Sequence, residues 1–123
     1  MLIAGRTPSE YSLASGWFLA AIVVLAGMSV TARLTGSFSV LVQYLQFVAL
    51  PLIGSAGWHA VRKRGFNLTQ AAVVGFVLSF GSHWTLPIFH GAAEIVSLFV
   101  VNSALFVAVA LGGGGLAKWV RSP

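Results

Sequence analysis

The run Arg62-Lys63-Arg64-Gly65-Phe66-Asn67-Leu68-Thr69-Gln70, RKRGFNLTQ, decides the fold. Three cations lead into a glycine that stops one helix. An asparagine with a glutamine three residues later starts the next. On either side the chain is apolar for about 20 residues, the length of helix that crosses a hydrocarbon layer about 30 Å thick. A link this short makes its two helices antiparallel neighbours. Its charge holds it at one membrane face.

Outward from this turn lie four apolar segments of spanning length, Trp17–Leu34, Val40–Val61, Leu68–Leu86 and Ala93–Leu111. The stretch TPSE, Thr7 to Glu10, offers a hydroxyl cap, a proline at the first helical position and a glutamate three residues after the cap. The first helix is therefore expected to begin near Pro8, ahead of the membrane. The expected helices span about 8–34, 40–63, 68–86 and 93–111, with an interfacial anchor over 116–123, in a single domain of residues 1–123. The fold class is all-α, an integral membrane antiparallel bundle of four transmembrane helices.

Composition agrees with lipid as the solvent. The 123 residues are 58% hydrophobic and 7% charged, against about 25% charged in soluble domains. The mean hydropathy is +0.93. There is no cysteine, which excludes disulfides, thiolate metal sites and a cysteine nucleophile. The net charge of +5 sits on no soluble surface, so nucleic acid is not an expected partner.

The charges set an orientation instead. Arg6, Arg62, Lys63, Arg64, Lys118 and Arg121 fall at the two termini and the second connection, and the opposite side carries only Arg33. Both termini are expected in the cytoplasm. Trp17, Trp58 and Trp119 fall near that same face, at headgroup level. So strong a bias counts against a dual-topology transporter. A first apolar run of spanning length, followed by three more, counts against a signal peptide.

Within the segments, small and polar residues form strips. Ala71, Gly75, Ser79, Ser82 and Leu86 share one side of the third helix, with His83 beside them. Glu94, Val101, Leu105, Ala108 and Gly112 share one side of the fourth, flanked by Ser97 and Asn102. Such strips suit helix packing in lipid. The alternative is a solute path lined by Ser79, Ser82, His83, Glu94 and Asn102. Gln43 and Gln46 are expected to hydrogen-bond to neighbouring helices, and Pro51 to kink the second helix.

The stretch GSHWTLPIFHGAAE, Gly81 to Glu94, concentrates His83, His90 and Glu94. His83 is expected inside the hydrocarbon, neutral and hydrogen-bonded, with His90 and Glu94 near the outer surface. Two imidazoles and a carboxylate could ligate zinc or another divalent metal, although Pro87 and Gly91 interrupt any one helix that would carry all three. Haem ligation within one chain is disfavoured because His59 and His83 belong to different depths. Catalysis finds no constellation, since Glu10 and Glu94 are the only carboxylate side chains. Gly112 to Gly115 are read as a flexible end or a site of close backbone approach. The expectation is a non-enzymatic accessory subunit of a larger membrane complex, in contact with the lipid bilayer and with other subunits or copies of itself. A small homo-oligomeric channel or transporter is the alternative, a metal- or cofactor-binding membrane protein the third. No cofactor is specified by the residues.

Overall fold

The computed structural model describes the backbone of residues 2–36 and 39–121, with the helical side chains at 39–43, 45, 46, 89 and 121 not described. Among the described residues there are helices and no strand. They are α1, Pro8–Leu34; α2, Ser39–Arg64; α3, Leu68–His83; α4, Leu86–Phe89; and α5, Ala92–Arg121. Among the described residues three stretches are long and apolar enough to cross a membrane: Pro8–Leu34, Leu68–Ile88 and Ala92–Val120, with mean hydropathies of 2.1, 1.4 and 2.4.

The helix starts follow from capping chemistry. The Thr7 hydroxyl accepts from the Glu10 N–H, and the Glu10 carboxylate accepts from the Thr7 N–H, each at 3.4 Å. Asn67 and Gln70 repeat the exchange at 2.8 and 3.0 Å. Each pair satisfies two N–H groups that a helix start leaves without carbonyls. Gly65 ends α2 with φ of +70°, a conformation that a side chain opposes.

Other boundaries differ from those expected. α3 stops at His83, not at residue 86, and Trp84 and Thr85 turn the chain into α4. Pro87 accounts for this: its nitrogen has no hydrogen to give the His83 carbonyl, and its ring crowds that carbonyl. α1 is interrupted at Gly16, with φ 37° and ψ −127°, so a short segment from Pro8 precedes the apolar run from Trp17. α2 runs through Pro51, as the expected helix over 40–63 does. α5 does not end near residue 111 before a separate anchor. It runs on through all four glycines to Arg121.

Packing explains that last difference. α5 lies most extensively on α2 and then α3, while α1 packs on α2 and α3. Gly57 of α2 faces the Ala110 carbonyl, and Gly113 of α5 faces the Gly54 carbonyl. As the α2 number falls by three the α5 number rises by three, so the pair is antiparallel. At Gly75 of α3 an added methyl would stand 2.7 Å from the Ala110 Cβ and 2.8 Å from the Phe106 carbonyl oxygen. These glycines let the backbones touch, which offsets the ~1 kcal/mol that each glycine costs a helix.

The N-terminal residues are tied to the α2–α3 turn. Arg6 Nε donates to Gln70 Oε1 at 3.0 Å, and its guanidinium carbon lies 4.2 Å from the centre of the Phe66 ring. Gln70 Nε2 donates to the Ala4 carbonyl at 2.9 Å, and the Tyr11 hydroxyl to the Ile3 carbonyl at 2.6 Å. The segment before α1 and the basic turn therefore lie at one end of the bundle.

Candidate functional site

Small residues draw the helices together at this turn end, through Gly54, Gly57, Gly113 and Gly114. Toward the Arg33 end larger side chains face inward, and the helices leave a cavity of about 340 Å³. Its apolar walls include Ile22 and Leu25 of α1, Leu50 and Ile53 of α2, and Leu98 and Phe106 of α5. Its polar lining comes from Ser29 and Arg33 on α1, Ser82 and Thr85 at the end of α3, and His90 and Asn102. Along α1 the lining runs from Arg33 to Ile22, eleven residues further back, about 16 Å of helix. The cavity is thus graded from a cationic end to an apolar one.

The residues singled out from sequence divide between several environments. Ser82 and Asn102 line the cavity. Ser79 does not: its hydroxyl donates to the Phe76 carbonyl at 2.6 Å and lies 3.3 Å from Ser103 Oγ, fully buried between α3 and α5. With the Ser79 proton spent on that carbonyl, Ser103 is the donor between the two hydroxyls. Glu94 is exposed and lies 2.9 Å from His90 Nδ1 across the start of α5. The side chains of Gln43 and Gln46 lie outside the described residues.

His83 overturns its expected hydrogen bonding. It is 9% exposed, its ring centre lies 4.4 Å from that of Phe99 and 6.0 Å from that of Phe80, and neither ring nitrogen has a partner among the described residues. The last turn of α3 delivers the imidazole into an aromatic cluster instead of the cavity. His83, His90 and Glu94 consequently form no joint ligand set. Among the described residues no three His, Cys, Asp or Glu side chains are grouped to hold a metal ion.

A buried polar group without a partner costs about 1–3 kcal/mol. His83→Phe, which keeps a flat ring against Phe80 and Phe99, should therefore raise stability by about 1 kcal/mol or more. The test is reversible unfolding in mixed micelles followed by circular dichroism. A loss of stability would mean that the imidazole has a polar partner in the membrane.

Sequence reasoning missed Ser29, Arg33, Thr85 and His90 as neighbours of Ser82 and Asn102. Ser29 and Arg33 are four apart and therefore on one face of a helix, a signal set aside when Arg33 was weighed only as an orienting charge. No protein-family model, no curated protein and no solved structure matches the chain.

Proposed function

We propose that the chain is a multi-pass integral membrane protein, crossing four times with both termini cytoplasmic, that serves as a non-catalytic subunit of a larger membrane assembly. The observation that carries this reading is the outward face of α5. Ala104, Ala108 and Gly112 follow one another at four-residue spacing and are exposed, and a methyl added at Gly112 or Gly115 would meet nothing within 4 Å. Gly113 and Gly114, between them, are in close contact inside the bundle.

Each glycine weakens a helix by about 1 kcal/mol relative to alanine. Contacts within the chain offset that cost at Gly113 and Gly114 and not at the outer two. A second transmembrane helix against Ala104, Ala108 and Gly112 would supply the missing contact, because small residues admit close approach in lipid. Beside this strip a shallow groove runs between α2 and α5, lined by Pro51, Gly54, Ser55, Trp58, Gly112 and Leu116. Its form suits a helix laid alongside. The fourth span is the apolar run Val40–Val61 within α2, and the excess of Arg and Lys at the termini and the α2–α3 turn supports the orientation.

Gentle extraction from native membrane followed by native mass spectrometry tests this. The expected particle holds this chain and a second membrane polypeptide in fixed ratio, and Gly112→Leu releases that polypeptide without changing the helix content of the chain. A particle of this chain and lipid alone, or a partner retained by the leucine variant, would refute the proposal.

A further inference from the structure

We infer that the cavity at the Arg33 end is a binding site for a single-chain anionic amphiphile, its acyl chain between the helices and its anionic head at Arg33. Four features of the cavity carry this. Its volume of about 340 Å³ lies at the lower end of the range for small-ligand pockets, which suits one chain better than two. Its walls pass from a cation and hydroxyls to aliphatic and aromatic side chains over about 16 Å of helix, the same gradient as an amphiphile.

Its polar end also lies at the level of a membrane interface, since α1 ends at Leu34 and α3 at His83, both beside the cationic end. A ligand entering from the bilayer would keep its head at headgroup depth and lower its chain toward Ile22, Ile53 and Phe106. Finally, the polar side chains match an oxyanion head. The guanidinium of Arg33 is always charged and presents donors in a planar fork that fits carboxylate or phosphate oxygens. Asn102 brings an amide along the wall, and the Ser82 and Thr85 hydroxyls at the same end, which donate to the Ser79 and Ser82 carbonyls at 3.0 and 2.8 Å, would rotate to donate to a bound head.

The inference concerns this chain alone and does not depend on a partner docking on α5. The test uses the full chain in phosphatidylcholine nanodiscs, titrated with palmitate, with lysophosphatidylglycerol and with uncharged hexadecanol, and read by calorimetry and native mass spectrometry. One equivalent of palmitate or of lysophosphatidylglycerol should bind at least tenfold more tightly than hexadecanol. Preference for palmitate assigns a carboxylate head, and preference for the lysolipid assigns a phosphate. Arg33→Gln should abolish the preference for the charged head, and Arg33→Lys should keep part of it. Ala26→Phe, which fills the cavity from α1, should abolish binding of all three while circular dichroism remains unchanged. Equal affinity for hexadecanol and both anions, no binding of any of the three, or undiminished binding to the Ala26→Phe protein would overturn the inference.

Discussion

Replacing Gly113 or Gly57 by alanine should destabilise the protein by about 3 kcal/mol, the upper part of the usual cost of overpacking. The same change at Gly115 should be neutral or stabilising by up to about 1 kcal/mol, the ordinary helix-propensity gain. The contrast arises because a methyl at Gly113 runs into the Gly54 carbonyl and one at Gly57 into the Ala110 carbonyl, whereas one at Gly115 meets nothing within 4 Å. The atoms in the way are backbone, so no side chain can rotate aside, and α2 and α5 must separate along their whole contact. Unfolding of the three variants in mixed micelles, compared at equal detergent composition, measures the effect. Equal losses at Gly113 and Gly115 would mean that α5 is not seated on α2 with Gly113 inward.

Arg6→Ala should lower stability by about 2 kcal/mol and make the segment before Pro8 accessible to protease. The ion pair with Glu10, 2.7 Å long and partly exposed, contributes little of this, because exposed pairs are worth about 0–1 kcal/mol. The larger losses are the hydrogen bond to the buried Gln70, about 1 kcal/mol, and the stacking on Phe66, about 0.5–1 kcal/mol. Arg6→Lys keeps the charge and the cation over the ring but loses the planar fork, so it should restore about half. An N-terminal segment equally protected in wild type and Arg6→Ala would contradict the clamp between this segment and the α2–α3 turn.

The parts of the fold legible in sequence were those that local chemistry decides. Thr7 to Glu10 and Asn67 to Gln70 each carry complete capping pairs, and both helices begin where those pairs put them. The end of α3 was misjudged by one turn because the apolar pattern runs on to Leu86, while Pro87 acts backward on His83. Gly112 to Gly115 look like a helix end by propensity alone. The other reading, a close backbone approach, holds at Gly113 and Gly114, whose neighbours include Gly54 and Gly57, about 60 residues earlier in the chain, and local pattern does not say which glycines face inward. The small-residue strip of α3 was readable as packing from its spacing alone, and Ser79 and Gly75 lie against α5.

The cavity was only half legible. Ser82 and Asn102 stood out as polar residues in apolar helices. Arg33 and Ser29 join them through the way α1 lies against α2 and α3, which sequence spacing cannot give. His83 was the most conspicuous polar residue and the least informative, since its ring is absorbed by Phe80 and Phe99.

The central claim, that α5 presents its outer face to another membrane subunit, is tested most directly by photo-crosslinking in intact native membranes. A benzophenone side chain is placed at Ala108, on the outward strip, and separately at Val24, which is 60% exposed on α1. The account predicts one discrete crosslinked protein from Ala108 and lipid adducts alone from Val24. Lipid adducts alone from both positions would contradict it.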